Sequence, residues 1–367
     1  MTEIAGHGDL PPVMEDKRPA ERTMEVTASS GFKRFLMAHR ASIALTTYQS
    51  GRLLVVSGNS HGDRLHFCEL KFKRPMGMAV QDGMLAIGLQ NQVLTYADIM
   101  RSQTAAIDDA DALYIPKVSN YTTDIDIHDV AFGGDGQLYF VNTQFSCLCT
   151  TSNDHSFKPF WKPPFITQLK PEDRCHLNGM AIQGGVPAYA TVCGRSNEKM
   201  LWKQDRDLAG CVYDVRTDEV VCAGLTMPHS PRWNDGKLWV LNSGHGEIGT
   251  VDLQTRTFQP LAFLPGYLRG LSFIGKYAVV GVSKPRDKSV FSGLPLQAEM
   301  ERRGMKPVCG LFVIDTETGH IEHRLTFEGA VSELYDTAVL AGLDRPSFVS
   351  LDGEEKGKVV SIEPGLA

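Results

Sequence analysis

"HDVAFGGDGQLYFVN" (residues 128–142) consists of an apolar run, a glycine-rich tetrapeptide and a second apolar run. The two runs are rich in Val, Phe, Tyr and Leu, which is typical of β-strands. "GGDG" (133–136) supplies the glycine and aspartate that tight turns favour. The stretch therefore predicts two antiparallel strands joined by a turn.

The same pattern returns along the chain, for example in "MGMAVQDGMLAIG", "NGMAIQGGVPAYATV" and "HSPRWNDGKLWVLN". The six clearest units begin at Met76, His128, Asn178, His229, Arg269 and Tyr335. Their spacings of 52, 50, 51, 40 and 66 residues average about 52, near the size of a four-stranded propeller blade. The repeat predicts an all-β protein with a β-propeller fold.

The number of blades depends on segment 41–72, which resembles a further, poorly registered unit. Counting it alone gives seven blades, the number we favour. If it shares a blade with the C-terminal strands, the ring closes with six, which is the alternative.

The segments before the repeat have a different character. Residues 1–29 are polar and contain prolines, and we expect them to form a flexible leader. "GFKRFLMAHR" (31–40) predicts a short amphipathic helix. Since nothing interrupts the repeat of strand pairs, we expect residues 30–367 to form a single propeller domain.

The net charge of −6 offers no basic field for nucleic acid or an anionic membrane, so neither is an expected partner. The sequence shows neither a secretory signal nor a membrane-spanning run, which predicts a cytoplasmic protein. Its eight cysteines contain no C-x-x-C pair, and we expect most of them to be buried free thiols.

Two rings of side chains are expected around the propeller channel. The first strand of each blade lines the channel, and its side chains alternate between faces. The six first residues of the units form one ring, and the residues two positions earlier form another: Arg74, Asp126, His176, Met227, Tyr267 and Glu333. Ten of these twelve side chains are polar, which favours a binding or active site at the channel mouth.

Three long connections are expected to cover the same mouth: "KPPFITQLKPEDRC" (162–175), "CGRSNEKMLWKQDRDLAG" (193–210) and "SKPRDKSVFSGLPLQAEMERRGMKP" (283–307). Long loops gathered on one face commonly serve function. Within the third, "PLQAEMERRG" (295–304) predicts a short helix.

The ring residues suggest a division of roles. His128, His176, His229 and Asn178 are candidate ligands of a divalent transition metal such as Fe, Zn or Mn, which would polarise a carbonyl or activate water or dioxygen. Arg269, Arg74 and Tyr267 are candidate substrate-binding residues. Tyr335, Glu333 and Asp126 are candidate catalytic residues because they can exchange protons.

Several longer motifs carry a family resemblance. "SIALTTYQSGRLLVV", "RPMGMAV", "DIDIHDVAF", "LYFVNTQFSCL", "PEDRCHLNGMA", "MPHSPRW" and "FSGLPL" together resemble a bacterial family of conserved hypothetical proteins with a domain of unknown function. The resemblance covers roughly residues 40–350 and implies a β-propeller without naming an activity.

A looser resemblance concerns "HLNGMA" (176–181), which is similar to the strand entrance of senescence-marker and gluconolactonase propellers. It implies that Asn178 binds a divalent cation. Where that superfamily has an aspartate in a later blade, this sequence offers His229 or Arg269.

Two functions from different classes remain open. The first is an enzyme that performs metal-assisted hydrolysis, elimination or oxidation of a small or peptidic anionic substrate. The second is a non-catalytic propeller that binds a ligand or a protein partner on the same face.

Overall fold

The computed structural model describes residues 23–101, 110–285, 293–354 and 359. These residues form 26 β-strands in six sheets, two short α-helices and one 3-10 helix. The prediction of an all-β propeller is confirmed.

The described chain begins with elements that join sheets formed later. They are β1 (Met24–Ala28), α1 (Phe32–His39), β2 (Ala41–Thr47), β3 (Arg52–Ser57) and β4 (His66–Lys71). The predicted short helix is thus present as α1. Residues 1–22 of the expected leader lie outside the described residues, whereas β1 of that leader pairs with the strand Ile321–Gly329 near the other end of the chain.

Five blades follow, each built on four consecutive antiparallel strands. Blade 1 contains β5 (Met78–Gln81), β6 (Met84–Gly88), β7 (Gln92–Asp98) and β8 (Ala112–Tyr121). Blade 2 contains β9 (Ile127–Phe132), β10 (Leu138–Asn142), β11 (Cys147–Thr150) and β12 (Lys158–Trp161). Blade 3 contains β13 (Leu177–Gln183), β14 (Val186–Val192), β15 (Gly210–Asp214) and β16 (Glu219–Leu225), with the 3-10 helix (Leu201–Lys203) between β14 and β15. Blade 4 contains β17 (Pro228–Asn234), β18 (Lys237–Asn242), β19 (Glu247–Asp252) and β20 (Thr257–Phe263). Blade 5 contains β21 (Tyr267–Ile274), β22 (Tyr277–Ser283), β23 (Cys309–Asp315) and β24 (Ile321–Gly329), with α2 (Pro295–Arg302) between β22 and β23.

Blade 6 closes the ring with strands from both ends of the chain. Its innermost strand is β25 (Thr337–Ala341), which pairs with β2 in the register Ala41↔Ala341 to Leu45↔Thr337. Segment 41–72 therefore supplies only the three outer strands of this blade. The described residues form six blades, the alternative count, and the preference for seven is corrected because the extra unit and the C-terminal unit are one blade. The last strand, β26 (Pro346–Phe348), adds to the edge of blade 1.

Apolar clusters lie between neighbouring blades. One joins Trp239 and Ile248 of blade 4 to Leu268 and Val280 of blade 5. Each of five innermost strands adds an apolar, half-buried residue, four positions after its unit start, that packs against such a cluster: Val80, Phe132, Trp233, Phe273 and Val339. Burial of apolar area of this kind is the main force that holds blades together.

The innermost strands also contact one another through glycines in every second blade. Gly77, Gly179 and Gly270 occupy equivalent positions in blades 1, 3 and 5. A Cβ at Gly77 would lie 2.4 Å from Asp129 Cα, and a Cβ at Gly270 would lie 2.7 Å from Asp336 Cα. Only glycine permits so close an approach of two backbones.

The even-numbered blades carry polar side chains at this position, and each bonds to the backbone of the following blade. Asp129 Oδ2 accepts the Met180 N–H at 3.0 Å, and Asp336 Oδ2 accepts the Met78 N–H at 2.8 Å. Ser230 Oγ accepts the Gly270 N–H at 3.0 Å. The ring is therefore built from three similar pairs of blades.

No helix among the described residues is long and apolar enough to cross a membrane.

Candidate functional site

A cavity of about 200 Å³ lies at the mouth of the channel. Five of the residues that we predicted to have a site role line this cavity: Asp126, His128, His176, Arg269 and Tyr335. We call this cavity, with these five residues and the loop residues described below, the mouth pocket. The starts of the innermost strands of blades 2, 3, 5 and 6 supply the five side chains.

His176 is held by a buried carboxylate. Its Nδ1 lies 3.1 Å from Asp173 Oδ2, and the indole Nε1–H of Trp202 donates to the same oxygen at 3.1 Å. The Trp202 ring stacks on the imidazole with centroids 4.1 Å apart. Burial alone would raise the pKa of Asp173, but His176 and the Trp202 hydrogen bond hold it below its usual value. An ionised Asp173 keeps the proton of His176 on Nδ1, which leaves Nε2 as the basic nitrogen.

His128 lies next to His176, with ring centroids 4.7 Å apart in an edge-to-face arrangement. Its Nδ1 lies 3.0 Å from the Asp126 carbonyl oxygen. Burial, together with the nearby His176 and Arg269, lowers the pKa of His128 to about 4 despite the opposing carboxylate of Asp126. The imidazole is therefore neutral at pH 7.

His229 lies behind the wall of the pocket, with its ring 6.3 Å from that of His176 and 5.5 Å from that of Tyr267. Its Nδ1 lies 2.9 Å from the Met227 carbonyl oxygen. Burial and the positive charge of Arg269 lower its pKa well below the usual value. Its Nε2 is buried and has no hydrogen-bond partner among the described residues.

Arg269 supplies a buried positive charge. Its guanidinium carbon lies 4.8 Å from the ring centre of Tyr335 and 5.4 Å from that of Tyr267. One guanidinium nitrogen lies 3.4 Å from Glu333 Oε1, and both side chains are at most one-tenth exposed. Glu333 and Tyr267 thus contribute to the site through Arg269 and His229 rather than by lining the cavity.

Five of the ten predicted site residues do not line the cavity: His229, Tyr267 and Glu333, described above, and Arg74 and Asn178. Arg74 pairs with Asp124 and does not line the cavity. Asn178 Oδ1 accepts from Thr191 Oγ1 at 2.7 Å, and its amide nitrogen donates to Cys193 Sγ at 3.1 Å. The Asn178 amide is thus engaged within blade 3, and the cation-binding role that the looser resemblance implies for it stays a prediction.

The described residues contain no group of three or more His, Cys, Asp or Glu side chains that could hold a metal ion. His128, His176, His229 and Asn178 therefore form no ligand set in this structure. The divalent metal remains a prediction from the sequence, and the chemistry below does not depend on it.

The directions of the ring side chains do not follow the simple alternation of a strand, because the backbone is irregular at the strand starts. Arg74, Asp126, His176 and Met227 all have positive φ, between 48° and 58°. A residue in this left-handed region turns the chain and breaks the two-residue periodicity of a strand. Counting every second residue placed both His176 and Asn178 at the channel mouth. His176 does line the cavity, whereas Asn178 does not.

Sequence reasoning missed the loop residues of the mouth pocket: Tyr48, Gln144, Asp173, Met200, Trp202 and Lys203. Asp173 lies in the first long connection, and three of the others lie in the second, so the expectation that these loops cover the mouth agrees with their position. The spacing of Asp173 three residues before His176 was the available signal.

The third connection also reaches this face. Leu296 and Met300 of α2 belong to one buried cluster with Trp202, Met227 and Tyr267. The predicted helix at 295–304 is present as α2, and residues 286–292 of the connection lie outside the described residues. The two loops therefore pack against each other beside the pocket.

Fold and site together define a six-bladed β-propeller with a polar pocket at the mouth of its channel. Residues 30–349 match the family described as "Domain of unknown function (DUF4915)". The chain belongs to this family, as its longer motifs predicted. No curated protein matches the sequence.

Solved structures similar to this chain include two of low sequence identity. One comes from a nidogen/laminin complex, with 7% identity, a TM-score of 0.49 and coverage of 82% of this chain and 99% of that chain. Another is a protein of unknown function from Bacteroides caccae, with 10% identity, a TM-score of 0.47 and coverage of 82% and 98%.

Proposed function

We propose that the protein is an enzyme that acts on a small molecule in the mouth pocket by general acid–base catalysis. The observation that carries the proposal is the buried Asp173 bonded to His176 Nδ1 at 3.1 Å, with His176 lining the cavity. A histidine oriented by a carboxylate is the usual arrangement of a general base.

The remaining groups fit the same chemistry. Burial raises the pKa of Tyr335 well above its usual value, so the phenol is protonated at neutral pH and can donate a hydrogen bond or a proton. Arg269 is the anchor for a negatively charged part of the substrate. Of the predicted reaction classes, hydrolysis and elimination need only such a base and donor, whereas oxidation also needs an electron acceptor. We therefore favour hydrolysis or elimination of a small substrate.

The test is a turnover screen with small esters, lactones and hydroxy acids, read by mass spectrometry. We expect product with the wild-type protein and a loss of about 10²- to 10⁴-fold in rate for His176→Gln and for Asp173→Asn. His245→Gln is the matched control, because His245 Nε2 faces Asp207 Oδ1 at 3.9 Å in a more exposed pair and neither residue lines the cavity. Its rate should remain that of the wild type.

Two results would contradict the proposal. One is turnover that His176→Gln leaves unchanged. The other is binding of small molecules in the pocket with no turnover across the screen, which would favour the non-catalytic propeller. Elemental analysis of the same sample tests the predicted metal: a stoichiometric metal lost on His128→Ala/His229→Ala would restore the metal-assisted mechanism.

A further inference from the structure

The wall of the mouth pocket contains the buried phenol hydroxyl group of Tyr335. Tyr335 is 5% exposed and lines the cavity, and its Oη has no hydrogen-bond partner among the described residues. Leaving a buried donor unpaired is unfavourable, so a group in the cavity is expected to accept from it.

A buried cation lies beside that hydroxyl. Arg269 is 8% exposed, lines the same cavity and places its guanidinium carbon 4.8 Å from the Tyr335 ring centre. Arg269 and Tyr335, which both line the cavity, carry several N–H donors and one O–H donor between them. This donor set suits an oxyanion, and a planar carboxylate matches the planar guanidinium.

The negative charges around the pocket limit the charge of the ligand. Glu333 Oε1 lies 3.4 Å from a guanidinium nitrogen of Arg269, and Asp126 and Asp173 line the cavity. The cations lining the cavity are Arg269 and Lys203, and Lys203 lies near the Trp202 ring at 5.5 Å. A second negative charge at Arg269 would face these carboxylates at close range, where like charges repel.

We infer that the substrate class of this site is a small monocarboxylic acid, bound by its carboxylate to Arg269 and Tyr335. The inference rests on the proposed function for its meaning as a substrate, but the binding itself is independent of turnover. The cavity volume of about 200 Å³ suits a small acid and leaves little room for a peptide. With the carboxylate at Arg269, the rest of the molecule extends toward His176.

The experiment measures binding by calorimetry and ligand-observed NMR. The probes are acetate, propionate, lactate and benzoate, each compared with its primary amide, and inorganic phosphate. We expect at least one acid to bind, its amide to bind about 10-fold more weakly or worse, and phosphate to bind more weakly than the acid.

Two pairs of variants locate the binding. Tyr335→Phe should weaken binding of the acid about 5-fold, whereas Tyr96→Phe should leave the binding unchanged. Tyr96 is the matched control because its Oη is also buried without a partner among the described residues but lies outside the cavity. Arg269→Lys should weaken binding of the acid about 10-fold, because lysine lacks the planar guanidinium that donates two hydrogen bonds to a carboxylate. Arg216→Lys, at a guanidinium that pairs with Asp214 and packs on Tyr189, should leave it unchanged.

The inference is overturned if none of the acids binds, if amides or phosphate bind as tightly as the acids, or if Tyr335→Phe leaves acid binding intact in a folded protein. Binding that persists in His176→Gln without any turnover by the wild type contradicts the proposed catalysis alone. Turnover of uncharged substrates without acid binding contradicts this inference alone.

Discussion

Arg232 in blade 4 donates two hydrogen bonds to Asp129 in blade 2, from Nη1 to Oδ2 at 2.8 Å and from Nη2 to Oδ1 at 3.1 Å. The same guanidinium lies 3.5 Å from Asp336 Oδ1 in blade 6. This one side chain of blade 4 therefore links all the even-numbered blades. Both carboxylates also accept backbone N–H groups of neighbouring blades.

Replacing Arg232 with Met should therefore destabilise the ring strongly. The change leaves two nearly buried carboxylates without their cation, which we expect to lower the free energy of unfolding by about 3–5 kcal/mol. Urea denaturation at pH 7 measures the loss. Arg256→Met is the matched control, since Arg256 pairs with Glu219 at 2.8 Å with both side chains more than half exposed. It should change stability by less than about 1 kcal/mol, and equal losses in the two variants would contradict the role of Arg232.

Trp202→Phe should separate the hydrogen bond of the indole from its stacking on His176. Phenylalanine can still stack, but Asp173 loses a buried N–H donor, so we expect a loss of about 1.5–3 kcal/mol. Trp161→Phe is the control, because Trp161 donates to Asp218 at 2.7 Å in an exposed pair. Thermal unfolding of both variants gives the comparison, and a stable Trp202→Phe protein would show that Asp173 does not need this donor.

The low pKa of His128 predicts a pH-dependent stability. A histidine whose pKa falls from 6.5 to about 4 on folding binds more protons in the unfolded state between these values. Its contribution to stability is full above pH 6.5 and is lost as the pH falls toward 4, by about 3 kcal/mol over the window. Unfolding free energies of wild type and His128→Gln at pH 7 and pH 4.5 test this. The difference between the two proteins should shrink at the lower pH, and a constant difference would refute the shift.

Native cysteines should resist thiol reagents. All eight are free, and every one except Cys68 is buried. Burial raises the pKa of Cys68 to about 11, so even this thiol should react slowly at pH 8. We expect the native protein to expose at most one thiol to a disulfide reagent and the urea-unfolded protein to expose all eight. Rapid reaction of several thiols in the native state would indicate local opening of the blades.

The repeat predicted the propeller and the polar mouth of the channel, and the amphipathic pattern of 31–40 predicted the helix, because apolar periodicity and glycine turns act locally. The same argument placed Asp126, His128, His176, Arg269 and Tyr335 around one axis. A finer signal was missed: glycine alternates with Asp or Ser at the position after each unit start, as in Gly77 and Asp129. Aligning the units in pairs would have revealed the three-fold pairing of blades.

The remaining features needed the closed ring. The six-blade count depends on β25 pairing with β2 between residues 292 to 300 positions apart, and a local pattern does not specify which distant strands meet. Asp173 and Trp202 join His176 because two loops fold over the mouth, and Asn178 turns away because positive φ values interrupt the alternation of the strands. Sequence by itself thus determined which strands form and which side chains are polar. Only the tertiary structure decided which of those side chains share one cavity, because contacts between loops and closure of the ring arise from packing between distant parts of the chain.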